Sequence, residues 1–180
     1  MDELKLYNID DEYIDYLQTN ELKERGFSRV SNNKDNNYKN KKPYVGIVIK
    51  VMDYHYFVPL THPKDHYNEN FKFFNRISFP IQLKNGRDYG RLMFCYMIPL
   101  KTEYIPKPIN MSKIDDEKYK NMLITQYFYI NSKNQREIII NKATNLYQKV
   151  YNKPSHYLYK YCCAFEILEK YCNTYKKITK

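Results

Sequence analysis

Tyr44–Val51 reads YVGIVIKV, and Tyr54–Leu60 reads YHYFVPL. Both runs are rich in β-branched and aromatic residues, which suit a pleated, half-buried surface. Only Met52 and Asp53 separate them, so the pair predicts two strands joined by a tight hairpin. Working outward, Arg91–Leu100 (RLMFCYMIPL) is a third apolar run and predicts a central strand. Leu4–Ile9 predicts a short strand. A helix capped by Asp10 or Asp11 follows, carrying Tyr13, Ile14, Tyr16 and Leu17. Phe71–Leu83 is apolar and broken by Pro80, so strand and short helix both stay open there. Asn85-Gly86 marks a turn.

The later chain is helical in pattern. From Asp115, Tyr119, Met122, Leu123, Gln126, Tyr127 and Ile130 fall on one face. Ile139, Ala143, Leu146, Tyr147 and Val150 repeat the pattern until Pro154 breaks it. A last helix is expected to carry Leu158, Tyr161, Cys162, Phe165, Leu168 and Cys172. The expected class is α+β, with a mainly antiparallel sheet and helices segregated late in the chain. No internal repeat or second-domain boundary is visible, so residues 1–180 read as one domain. Within it, Glu21–Lys42 has few large apolar residues. It predicts a basic, partly mobile loop ending in Lys39, Lys41 and Lys42.

Net charge is +10, from 30 basic and 20 acidic residues. A positive excess favours polyanionic partners through counterion release. AT-rich codon usage also inflates Lys, Asn, Ile and Tyr, so charge alone decides nothing. The 21 tyrosines offer rings that stack on bases and hydroxyls that reach phosphate, although most must serve packing. The four cysteines form no C-x-x-C pair and read as small apolar residues of a reducing compartment. No run approaches the roughly 20 apolar residues of a membrane span, and the charged N-terminus lacks a signal-peptide core; the cytoplasm is the expected location. With four glycines, the chain carries no phosphate-binding loop or dinucleotide fingerprint, which disfavours nucleotide-cofactor enzymes.

The segment with chemistry is Pro59-Leu60-Thr61-His62-Pro63-Lys64-Asp65-His66, where a buried strand runs out into a loop. Thr61 offers a hydroxyl, His62 and His66 imidazoles, and Lys64 a fixed cation. Cleavage of RNA by its own 2′-hydroxyl needs such groups. A proton must leave the 2′-oxygen, charge develops on the phosphorane, and the 5′-oxygen needs a proton. An ordinary solvated loop would look the same from spacing alone. His62 and His66 are spaced like zinc ligands, but only on a helix, which Pro63 opposes; no metal site and no cofactor are expected. Gln126 sits on an apolar face and either bonds the sheet or turns to a ligand.

The run KPYVGIVIKV, the hairpin and YFVPLTHPKDHY resemble the signature region of the ToxN/AbiQ family of type III toxin–antitoxin toxins. RLMFCYMIPL is similar to the family's second strand signature and KYKNMLITQYFYI to its third. KLYNIDDEYIDYL looks like its N-terminal strand and helix. The resemblance implies a compact twisted sheet of the Kid/MazF toxin type, wrapped by helices. It implies a metal-independent endoribonuclease that leaves a 2′,3′-cyclic phosphate and a 5′-hydroxyl. The expected partners are a small repetitive, pseudoknotted RNA antitoxin, which the toxin processes, and cellular or phage RNA as substrate. A toxin–RNA hetero-oligomer and abortive phage infection are implied as well.

By position, the resemblance assigns Thr61 and Lys64 to catalysis. His62 joins them where the family often has serine. The resemblance also places Lys42, Tyr13, Tyr119 and Gln126 at the RNA groove, and Tyr44 and His66 are expected as further RNA-binding residues. Histidine can do more than serine, since it titrates near neutral pH. The alternative reading is an RNA-binding module without catalysis.

Overall fold

The computed structural model describes residues 3–32, 42–64 and 69–176. Its centre is the hairpin of β2 (Tyr44–Val51) and β3 (Tyr54–Thr61), turned at Met52 with a positive φ of 49°. β1 (Lys5–Tyr7) pairs with the outer edge of β2. β4 (Phe79–Gln82) and β5 (Asp88–Leu92) extend the sheet in the order β1-β2-β3-β5-β4. β6 (Ile98–Leu100) also pairs with β3, and every named pairing is antiparallel.

Arg91–Leu100 is not the single strand its apolar run suggests. β5 ends at Leu92, Phe94–Tyr96 forms a 3-10 turn, and β6 begins at Ile98. β6 pairs with His55–Phe57 and β5 with Leu60–Thr61. The break faces Pro59, which has no N–H to donate. Its carbonyl still accepts from Met93 N at 3.1 Å. The two partners therefore meet β3 on either side of a missing ladder bond.

Helix α1 (Asp11–Arg25) starts where the Asp10 side chain accepts from Glu12 N, and it ends on Gly26. The expected loop from Glu21 thus begins five residues later. Glu21 is buried and takes five hydrogen bonds: from Arg25, Ser28, the Arg29 and Val30 amides and the Ala164 amide. It looks polar in sequence but is a core residue of the helix.

Phe71–Leu83 resolves into both open alternatives, with helix α2 (Phe71–Ile77) followed by β4. Helices α3 (Glu117–Asn131) and α4 (Lys133–Val150) bury the expected faces: Leu123, Gln126 and Ile130 on one, Ile139, Ala143, Leu146, Tyr147 and Val150 on the other. The last helix, α5 (Phe165–Thr174), starts later than the apolar pattern implied. Tyr159–Tyr161 is a 3-10 turn, and Cys163 N donates to Cys95 O at 2.8 Å instead of to a helical ladder. All four cysteines are free and buried. α4 packs on β2, while α5 packs on β6 and α1. Between these layers lie Tyr44, Tyr56, Phe57, Phe94 and Phe165.

Candidate active site

Thr61 is the last residue of β3 and still belongs to the sheet, paired with Arg91. His62, Pro63 and Lys64 follow it out of the ladder and are exposed. The Thr61 hydroxyl donates to the Arg91 carbonyl at 3.4 Å, a long bond that leaves it loosely held. Behind it runs Gly90, at a φ of +101°. A Cβ there would stand 1.8 Å from the Thr61 carbonyl oxygen, so only glycine lets β5 support the strand end this closely.

The second wall is the start of β2. Leu60 N donates to Pro43 O at 2.9 Å, which sets Lys42 beside the strand exit. Lys42 Nζ donates to Ser31 Oγ at 2.6 Å and to Asn32 O at 3.4 Å. Ser31 and Asn32 are in turn held by the chain that Glu21 fixes at Ser28–Val30. The His62 imidazole lies in the field of both lysines. Partial burial, then Lys42, then Lys64 push its pKa below the usual range. An imidazole with a lowered pKa, a hydroxyl and two lysines are thus brought together from the start of β2 and the end of β3.

The structure separates the other expected RNA-binding residues. Tyr13 is buried, with its hydroxyl donating to Pro99 O at 2.5 Å and its ring edge-on to Tyr175, 4.7 Å between centroids. The ring packs between α1 and Tyr175, with little of its face exposed. Tyr44 is fully buried too, and its hydroxyl donates to Ser31 O at 3.5 Å. Burial raises both phenols far above their ordinary pKa. Tyr44 acts on the site through Ser31, which holds Lys42, and presents no face for stacking. Tyr119 remains half-buried in the first turn of α3, where Asp116 accepts from its amide. His66 lies outside the described residues.

Gln126 settles on the sheet side. Its Nε2 donates to Tyr89 O at 2.7 Å, directly before Gly90, while its buried Oε1 has no partner among the described residues. Seven residues along one helix place Tyr119 about 10 Å from it along α3. Arg91 was missed in the sequence, hidden inside an apolar run. It is 2% exposed; its guanidinium donates to Ser78 Oγ at 2.9 Å and Asn75 Oδ1 at 2.6 Å. An arginine amid strand residues was the available signal, because a buried guanidinium must be satisfied by dedicated partners.

The profile of the toxin ToxN of type III toxin–antitoxin systems matches residues 5–173. The chain belongs to the ToxN family. Among its ToxN relatives, the endoribonuclease ToxN of Bacillus thuringiensis subsp. kurstaki is 32% identical over 98% of this chain and 86% of its own. The endoribonuclease AbiQ of Lactococcus lactis subsp. lactis is also 32% identical, over 97% of this chain and 90% of its own. A solved structure from a type III toxin–antitoxin system, described for selective toxin inhibition by a non-coding RNA pseudoknot, superposes with a TM-score of 0.79. It is 31% identical and covers 98% of this chain and 99% of its own.

Proposed function

We propose that this protein is the endoribonuclease toxin of a type III toxin–antitoxin system, acting in the cytoplasm as an antiphage device. The observation that carries it is the cluster of Thr61, His62, Lys64 and Lys42 on a family-wide scaffold. The neutral His62 imidazole takes the 2′-hydroxyl proton. The 2′-oxygen attacks phosphorus, and Lys42 and Lys64 meet the charge that develops on the phosphorane oxygens. Thr61 orients the phosphate. The 5′-oxygen leaves and takes a proton from solvent, while the exposed His62 imidazolium returns its proton to solvent, giving a 2′,3′-cyclic phosphate and a 5′-hydroxyl. Fixed side-chain cations take the role a divalent metal plays elsewhere, so the reaction is expected to run in chelator.

The partner under this reading is a repetitive pseudoknotted RNA antitoxin that fills the same groove and is cut by it. Tyr119 and His66 are proposed as RNA contacts. Gln126 positions β5 behind Thr61. No helix among the described residues is long and apolar enough to cross a membrane.

The test is incubation of purified protein with A-rich single-stranded RNA in EDTA. Cyclic-phosphate ends are expected. RNA that is bound but stays intact would instead assign a binding module without catalysis.

A further inference from the structure

A polar cavity of about 460 Å³ opens between α2, α4 and the 154–158 segment. Arg76, Lys142 and Lys149 line it together with Asn75, Asn145 and Tyr157, and no carboxylate is among the described residues of its wall. Three cations converging without a counter-charge set up a field that only an anion relieves. The wall also carries groups suited to more than a bare charge. Tyr157 is 52% exposed, stacked on His156 and capped at one side by Arg76, whose Nη1 donates to its hydroxyl at 2.9 Å. Asn75 and Asn145 add amide donors and acceptors.

We propose that this cavity is a second RNA-backbone site, taking a phosphodiester on Arg76, Lys142 and Lys149 with a neighbouring base against Tyr157. The proposal rests on the ribonuclease reading and extends it to a part of the RNA away from the bond that is cut. Combined cations and an exposed aromatic ring are what single-stranded nucleic acid needs; a protein partner would need apolar area that this wall lacks.

The cavity is also wired to the cleavage loop. Lys142 Nζ donates to Asn75 O at 3.2 Å, Asn75 Oδ1 accepts from Arg91, and the Arg91 carbonyl accepts from Thr61. Lys142 has its pKa lowered, by burial first and the neighbouring Arg91 second.

The experiment compares R76Q/K149Q, and separately Y157A, with the parent. Binding of a long A-rich single-stranded RNA is measured across salt in a K64A background, so that the RNA stays uncut. Cleavage of a short oligoribonucleotide, long enough only for the Thr61–Lys64 loop, is measured with Lys64 present. The double variant is expected to lose about tenfold in long-RNA affinity and about 1.4 in the slope of log affinity against log salt. Y157A is expected to weaken long-RNA binding while leaving the slope alone. Both should cut the short RNA at the parental rate and melt with the parent. Parental affinity and slope in R76Q/K149Q, alongside normal short-RNA cleavage, overturn the cavity proposal alone. A parent that neither cuts the short RNA nor binds the long one overturns the ribonuclease reading with it.

Discussion

At the scale of single residues, the decisive question is what His62 does with its proton. Its pKa is held below the ordinary value of about 6.5 by partial burial, Lys42 and Lys64. A base must be neutral to act, so cleavage should rise with pH through that lowered pKa and stay level above it. A rate that falls over the same interval would make the imidazolium the active form and reject the base role. Lys42→Ala removes one of the depressing cations and should move the rising limb toward higher pH. His62→Ala should cost on the order of 10²–10⁴-fold in single-turnover rate, and His62→Ser should keep part of the activity. Lys64→Ala should cost about 3 kcal/mol of transition-state stabilisation, roughly a hundredfold in rate, without shifting the melting temperature. Growth arrest of cells as severe as with the parent protein would remove Lys64 from the mechanism.

Between residues and the whole molecule lie the elements that hold the loop in place. β5 can approach Thr61 only because residue 90 is glycine. Gly90→Ala introduces a Cβ against the Thr61 carbonyl at a positive φ, and should lower both stability and cleavage. Gly86→Ala is the control: its φ is also positive, at +82°, but nothing lies within 4 Å of the new Cβ. It should cost about 1 kcal/mol of stability and leave cleavage alone. Equal loss of activity in both would show that backbone strain, and not support of Thr61, is what matters at Gly90. On the opposite wall, Glu21→Ala strips five hydrogen bonds and leaves the nearly buried Arg25 with only the Cys162 and Tyr159 carbonyls as acceptors. It should cost about 3–5 kcal/mol, read as a fall in the urea midpoint.

The elements also mark what the sequence discloses. Tyr44–Thr61 is legible because its β-branched and aromatic residues, and the two-residue turn, act locally. The break in Arg91–Leu100 is not, because its cause is Pro59 on a neighbouring strand. Tyr13 and Tyr44 match the family's pattern while facing inward, since a ring's exposure depends on what packs over it. What holds Arg91 was not legible, because its partners, Asn75 of α2 and Ser78 just beyond it, come from another element.

For the molecule as a whole, the tyrosine-rich composition finds its use largely in the core or packed against it. Glu169 of α5 is 4% exposed and accepts three phenolic hydroxyls: Tyr56 of β3 at 2.7 Å, Tyr147 of α4 at 2.9 Å and Tyr151, just beyond α4, at 3.0 Å. One carboxylate thereby ties the sheet to both late helices. Ring contacts continue the knot, with Tyr147 stacked on Phe165 at 5.6 Å and Tyr56 edge-on to both. Hydrogen bonds to a charged group contribute about 1.5–3 kcal/mol, and a buried acceptor left short costs more than the bond itself. Tyr56→Phe leaves Glu169 with two donors and should cost about 1–2 kcal/mol. Glu169→Leu leaves the buried Tyr56 hydroxyl without its acceptor and should cost more than Tyr56→Phe. Combining the two removes both members of the central bond, so the double variant should be less destabilised than the sum of the singles. Urea denaturation of the four proteins measures this directly. Simple additivity would mean that the Tyr56–Glu169 bond contributes nothing beyond packing. None of these residues touches the Thr61–Lys64 loop in the described contacts, so each folded variant should cut RNA at the parental single-turnover rate. A loss of rate without loss of stability would instead show that the knot sets the geometry of β3 as far as Thr61.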